Sequence, residues 1–312
     1  MEVLVTGGAG FIGSNIVERL ISEGHSVTVI DCLNTGSENN LAGVRDKIKF
    51  VRGNSGEIEK LVSGKKFDII LHQGVYSTSP LYKENRLLTA KALEEFINIL
   101  EYCTKNGTRL VFASSSSLYN GVTPPHREDA QINVTDFYSE ARLAMERVAT
   151  LYHQLYGTKI IALRYFSVYG PHEEAKGKYA NLITQFLWAM MKNEAPVVYG
   201  DGSQTRDFVF VSDIVEANML AMKSPLEFGI FNVGTGRSVS INGMIEILNN
   251  KLGTKLPIKY VENKVKNYVA HTQADTLLTK TKLGFSAKTS LEEGIEKLIE
   301  YTKSRAYTEP NK

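Results

Sequence analysis

The sequence predicts an α/β fold, a doubly wound parallel sheet with a smaller α/β lobe built mostly from the C-terminal part of the chain. Three observations predict it: β-branched runs alternate with helical patterns, a glycine-rich turn separates the first strand from the first helix, and an acid closes the second strand. The strand runs are "EVLVTG", "SVTVID", "IKFVRG", "FDIILHQ" and "TRLVFAS", and alternation of short buried strands with crossovers is the sequence form of a parallel sheet. Two long helices are expected. One carries Leu93, Phe96, Ile97 and Leu100 and the other Ala141, Met145, Val148, Tyr152 and Leu155, both near the helical period.

After "TKIIALRYF" the alternation loosens into "VYGPHEEAKGKYAN" and "VVYGDGSQTRDF", where glycine, proline and charge gather as they do in loops around a site. Strand and helix patterns return in "FVFVSDIVEANML" and "GIFNVGTG". The expected organisation is therefore two interleaved domains, 1–168 plus 211–236 and 169–210 plus 237–312.

At 312 residues, with 43% hydrophobic and 22% charged residues, the composition is that of an ordinary globular protein. A net charge of +2 with scattered basic residues points to neither a nucleic-acid nor a membrane partner. Cys32 and Cys103 make no disulfide framework and no metal-spaced cluster, so no metal is expected. The opening "MEVLVTGGAG" does not read as a signal peptide and no apolar run is long enough to span a bilayer, so the expected location is the cytoplasm.

"TGGAGFIG" holds Gly7, Gly10 and Gly13. Glycines suit this place because the turn is tight, a pyrophosphate must approach the backbone, and the helix packs close to the sheet with its N-terminus facing the phosphates. Asp31 can accept both ribose hydroxyls of an adenosine and would repel a 2′-phosphate, and no arginine follows in "CLNTGSENN". NAD is therefore expected as the cofactor and NADP is disfavoured.

Together with "FASSSSLYNG", "FYSEARLAME", "RYFSVYGP", "TRDFVFVSD" and "FNVGTG", these motifs make the chain resemble the extended short-chain dehydrogenase/reductase superfamily along nearly its whole length. Its nucleotide-sugar epimerases are the nearest branch, the UDP-hexose 4-epimerases first and the ADP-heptose 6-epimerases as the alternative. The resemblance implies a Rossmann-type sheet, tightly bound NAD, a substrate lobe that takes a nucleotide sugar, and a homodimer formed through a helical bundle. It makes Tyr138 the catalytic tyrosine and Ser115 its hydroxyl partner. It adds Phe11, Ile12 and Asn34 to the cofactor contacts, with Asn54, Ser55, Gln73, Gly74 and Tyr165.

The superfamily carries a lysine four residues after the tyrosine, and here that position is Arg142. The lysine sets a positive charge beside the phenol and bonds the nicotinamide ribose. A phenol is a poor base at neutral pH without a cation beside it. Arginine supplies the charge, but its longer planar fork is not interchangeable with an ammonium, so reduced or altered activity is expected. A protein that binds NAD and nucleotide sugar without turnover, and an NAD-linked sugar reductase, are the readings from other classes.

Ser116 and Ser117 stand where the dehydratase branch carries Asp and Glu, so loss of water lacks its acid and base. Lys176 falls where the heptose enzymes place a lysine beside the sugar that acts with the tyrosine, so the resemblance makes it a further catalytic candidate. For the substrate the resemblance implies contacts from Ser77, Ser115, Ser116 and Ser167. Asn181, Tyr199 and Arg206 are added, and Lys264 or Lys266 replaces a later phosphate-binding arginine that is missing at "KVKNY".

Overall fold

The strand runs of the sequence meet in one sheet. The computed structural model describes residues 1–264 and 268–305. Its main sheet has seven strands, all parallel, in the order β3-β2-β1-β4-β5-β6-β11. They are β1 (Glu2–Thr6), β2 (Ser26–Asp31), β3 (Ile48–Arg52), β4 (Ile69–His72), β5 (Arg109–Ser115), β6 (Ile160–Tyr165) and β11 (Phe228–Val233). The order reverses between β1 and β4. At such a switch point the connections leave in opposite directions and open a crevice at the carboxyl ends of the strands.

Helices α1 (Phe11–Ser22) and α7 (Val211–Lys223) cover one face of the sheet, and α2 (Ile58–Leu61), α4 (Leu88–Asn106) and α5 (Phe137–Tyr156) the other, with α3 (Ser79–Glu84) against α5. Ile16, Val17 and Leu20 of α1 are completely buried, each contributing roughly 1.5–3 kcal/mol through removal from water. On the opposite face Phe96, Ile99 and Leu100 of α4 pack with Met145 and Ala149 of α5 over Leu4, Ile70 and Phe112. α5 starts where the Asp136 carboxylate accepts the Ser139 N–H at 2.7 Å, and it stops at Gly157, whose φ of +68° is left-handed.

The remaining elements are β7 (Ser167–Tyr169), α6 (Leu182–Met191), β8 (Val197–Tyr199), β9 (Thr205–Arg206), β10 (Phe208–Phe210), β12 (Val239–Ser240), α8 (Ile241–Leu252), β13 (Lys259–Val261), α9 (Leu277–Leu283) and α10 (Leu291–Ser304). Most of them enclose a separate core in which Ile183 and Leu187 meet Met244, Ile245, Ile295 and Leu298. One segment departs from the sequence-based boundaries. α9 packs on β11, and Leu283 and Phe285 fill the main core because that outermost strand needs a cover. Among the described residues no helix is long and apolar enough to cross a membrane.

Candidate active site

A cleft opens at the switch point, lined by the glycine turn, the ends of β2 to β6 and the first turn of α5. Two of its glycines are required by contact. Gly7 has a φ of +67°, and a Cβ there would lie 2.6 Å from the Gly74 backbone; a Cβ on Gly13 would lie 2.0 Å from the Gly7 carbonyl oxygen. Gly10 caps α1 without a side chain and the first turn holds no acid, so Phe11, Ile12 and Gly13 begin a helix whose positive end faces the cleft.

Asp31 stands at the carboxyl end of β2, only 7% exposed. Its Oδ2 accepts the Ala9 N–H at 2.9 Å and its Oδ1 the Leu33 N–H at 2.7 Å. Burial raises its pKa, and the backbone donors pull it back toward the charged form. Asn34, Asn54, Ser55, Gln73, Gly74 and Tyr165 line the same cleft. The Tyr165 hydroxyl donates to Gln73 at 3.2 Å and accepts from Asn218 at 2.8 Å, which fixes the floor between β4 and β6. A backbone cradle that a Cβ would fill, an open helix N-terminus and a ribose-facing carboxylate together fit a dinucleotide that carries a free 2′-hydroxyl.

At the other end, Ser115 closes β5 and its Oγ accepts the Ser117 N–H at 3.1 Å. Tyr138 lies in the first turn of α5 with its ring edge-on to Tyr82, 5.5 Å between centroids. Arg142 is 4% exposed. One of its terminal nitrogens donates to the Ala113 carbonyl at 2.8 Å, the other to the Tyr76 carbonyl at 3.3 Å, and its Nε is buried without a partner. The three residues line one cleft with the glycine turn.

Among the other sequence candidates, Ser77, Ser167, Lys176 and Asn181 also line the cleft. Lys176 lies over the Phe11 ring at 5.3 Å, its Nζ 3.2 Å from buried Glu173, which also accepts the Asn181 N–H at 2.9 Å. Ser116, Tyr199, Arg206 and Lys264 lie outside this lining. Arg206 is buried and donates to the carbonyls of Thr205, Val269 and Ala270 rather than pairing with Asp207. Lys264 pairs with Glu262 at 3.3 Å on the surface, and Lys266 lies outside the described residues.

Several cleft residues were not named from the sequence, and two of them form a pair. Tyr76 and Glu95 bond to each other, the Tyr76 hydroxyl donating to Glu95 Oε1 at 3.2 Å. Glu95 sits in an amphipathic helix beside Phe96 with nothing in its spacing to mark it, and only the packing of α4 beneath the turn after β3 brings it to the cleft.

Comparison with known proteins agrees with this geometry. The model of the NAD dependent epimerase/dehydratase family matches residues 3–234. A UDP-glucuronate 4-epimerase of Thermodesulfobacterium geofontis is 31% identical over 96% of this chain and 95% of its own length. Two solved structures superpose with a TM-score of 0.91 at 30% identity over 97% of this chain. One is a UDP-N-acetylglucosamine 4-epimerase of Methanobrevibacter ruminantium with UDP-N-acetylmuramic acid, covered over 98% of its length; the other is a UDP-glucose 4-epimerase of Thermotoga maritima with UDP-glucose, covered over 99%. Cradle, carboxylate and tyrosine thus occur in a chain whose sequence and backbone both follow these enzymes, and it belongs to the NAD dependent epimerase/dehydratase family as a nucleotide-sugar epimerase of the extended short-chain dehydrogenase/reductase type, an isomerase that works with NAD.

Proposed function

We propose that the chain interconverts UDP-hexoses by inversion at C4 through a transient 4-keto sugar. The observation that carries this reading is the meeting of Tyr138, Ser115 and Arg142 in one cleft with the glycine turn and Asp31. NAD, when bound, supplies the hydride acceptor and later returns the hydride, so no net oxidation occurs. Tyr138 takes the proton of the sugar 4-hydroxyl, and Ser115 shares that proton at the end of β5. Arg142 keeps a permanent positive charge beside the phenol ring, its guanidinium carbon 5.1 Å from the ring centroid. Ser77, Ser167 and Asn181 are polar groups of the cleft that would hold the nucleotide sugar while the ketone turns over.

The Ser117 hydroxyl accepts from Ser139 at 3.2 Å, so the position where a dehydratase needs a carboxylate is occupied by a neutral bond. That favours epimerisation over elimination. A homodimer belongs to the same reading, because α5 leaves Leu151, Leu155 and Tyr156 exposed alongside α4, a face of the kind that pairs with a second copy.

Sugar proton NMR of the purified chain with UDP-glucose, UDP-N-acetylglucosamine, UDP-glucuronate and an ADP-heptose tests the reaction. Inversion at C4 of a UDP-sugar, lost in Tyr138→Phe, is expected. Inversion at C6 of the heptose instead, or net formation of NADH, overturns it. Sedimentation equilibrium reads the dimer.

A further inference from the structure

The adenosine half of the cleft contains a carboxylate that the proposed reaction does not use. Asp31 marks the ribose, and across the sheet it is paired in register with Arg52, so the turn Gly53–Asn54–Ser55 comes next to it. A base attached to a ribose held at Asp31 therefore meets the Asn54 turn and whatever lies beneath it. What lies beneath is Glu95 of α4. The contact is close enough that a Cβ on Gly56 would sit 2.7 Å from Glu95 Cγ and 3.0 Å from its Cα. Asn98, one turn further on, bonds the Gly56 carbonyl at 3.1 Å and holds helix and turn together.

The hydrogen bonds at this corner are one-sided. Asn54 spends its Oδ1 on the Gly56 N–H at 2.7 Å, and Ser55 donates its hydroxyl proton to the Gly74 carbonyl at 3.3 Å. Glu95 Oε1 accepts from Asn54 Nδ2 at 2.8 Å and from the Tyr76 hydroxyl at 3.2 Å, with Lys91 Nζ at 3.8 Å. Among the described residues its Oε2 takes no bond, and Glu95 lines the cleft. The result is a carboxylate held by one oxygen and left with the other as an acceptor, where a donor on the base would arrive.

We propose that Glu95 is the residue that selects adenine, its Oε2 accepting the exocyclic 6-amino group of the dinucleotide. Hypoxanthine carries a carbonyl oxygen at that position, which would face Oε2 as acceptor against acceptor. A site built to bond a donor rejects the analogue that lacks it, because the buried acceptor is then left unpaired. The assignment concerns the cofactor alone and holds whichever sugar is turned over.

The test is isothermal titration of the full chain, freed of resident nucleotide, with NAD and with nicotinamide hypoxanthine dinucleotide. The chain is expected to bind NAD about 10- to 100-fold more tightly. In Glu95→Gln, whose amide can turn a donor toward a carbonyl, that ratio is expected to shrink at least about fivefold or to invert. Equal affinities in the unaltered chain, binding of neither dinucleotide, or a ratio unmoved in Glu95→Gln overturns the proposal. Should Glu95→Gln not fold, Glu95→Ala takes its place, and a ratio unmoved there overturns the proposal as well.

Discussion

Arg142 stands one helical turn beyond Tyr138 with its guanidinium carbon 5.1 Å from the centre of the tyrosine ring, and it ties two backbone carbonyls, Ala113 on β5 and Tyr76 after β4. The guanidinium thus serves as a staple as well as a charge. A lysine ammonium keeps the charge but presents its donors from a single point, so it can retain one of these carbonyls and not both. Arg142→Lys is expected to keep turnover measurable at an altered rate and to lose about 1 kcal/mol of stability. Arg142→Met strands both carbonyls and removes the charge, and kcat is expected to fall more than about tenfold. Steady-state kinetics and urea unfolding check both; a rate in Arg142→Lys equal to the original contradicts this view of the position.

Glu146, one turn further along α5, is 2% exposed and forms a two-pronged pair with Arg164 of β6, at 2.9 Å to Oε1 and 2.7 Å to Oε2. Ser114 donates to the same Oε1 at 2.5 Å, and Arg164 reaches the Tyr119 hydroxyl at 2.6 Å. Helix, strand end and neighbouring strand are thereby registered next to Ser115 and two helical turns from Tyr138. Removal of one partner leaves a buried charge unpaired, which costs about 3–5 kcal/mol. Glu146→Ala is expected to lose that much in urea unfolding, whereas Ser114→Ala, which deletes one bond and strands no charge, is expected to lose about 1 kcal/mol. Similar losses in both variants would contradict the assignment of the pair as the anchor.

The sheet was legible because its code is local. Strands buried on both faces read as continuous apolar runs, and "TGGAGFIG" followed by Asp31 specifies a turn, a helix start and a ribose contact within one βαβ unit. Tyr138, Ser115 and Arg142 were legible as residue types. Their bonding was not, since the carbonyls that Arg142 meets belong to two different strand ends. Arg206 shows the same limit, because nothing in "TRDFVFV" announces that its donors go to Val269 and Ala270, some sixty residues away. Glu95 was invisible for a related reason. A half-buried acid in an amphipathic helix looks like any solvated charge until the turn that packs on it is known.

His172 gives the fold a dependence on pH. It is buried, its Nδ1 2.8 Å from Ser14 Oγ on α1, with Glu18 3.9 Å from Nε2 and the Tyr301 ring 5.7 Å away. Burial, with Arg305 adding to it, pushes its pKa down from 6.5 to about 4. The unfolded chain takes up this proton near 6.5 and the folded chain does not until about 4. The stability that neutral His172 contributes is therefore complete above that range and is lost as pH falls through it, by about 1.4 kcal/mol per unit at most. Burial raises the pKa of Glu18, Asp31, Glu95 and Asp207, which act in the opposite sense, so the comparison must be with His172→Gln. The stability difference between the chain and the variant is expected to shrink by about 1–3 kcal/mol between pH 7 and 4.5. A constant difference in urea unfolding would remove His172 from the account.

Gly13 tests the cradle itself. Gly13 is helical and lies inside α1, so alanine would ordinarily favour the helix there by about 1 kcal/mol. Here the added Cβ would lie 2.0 Å from the Gly7 carbonyl oxygen and 2.8 Å from Gly8 Cα, and both are backbone atoms of the turn that no rotamer change can move aside. Relief requires α1 to withdraw from β1 or the Gly7 turn to open, and either displaces the N–H groups that face the cleft. Overpacking of this kind costs about 1–3 kcal/mol, which outweighs the helix preference. Gly13→Ala is therefore expected to be less stable than the original chain and to bind NAD at least about tenfold more weakly by isothermal titration. Gly24→Ala is the control for the loss of a glycine without a clash, since Gly24, unlike Gly13, has a left-handed φ, +80°, and no atom lies within 4 Å of the added Cβ. It is expected to lose about 1 kcal/mol of stability from backbone strain while NAD affinity is unchanged. Equal NAD affinity in Gly13→Ala and in the original chain would show that the close approach of α1 to the glycine turn is a packing feature with no part in holding the dinucleotide.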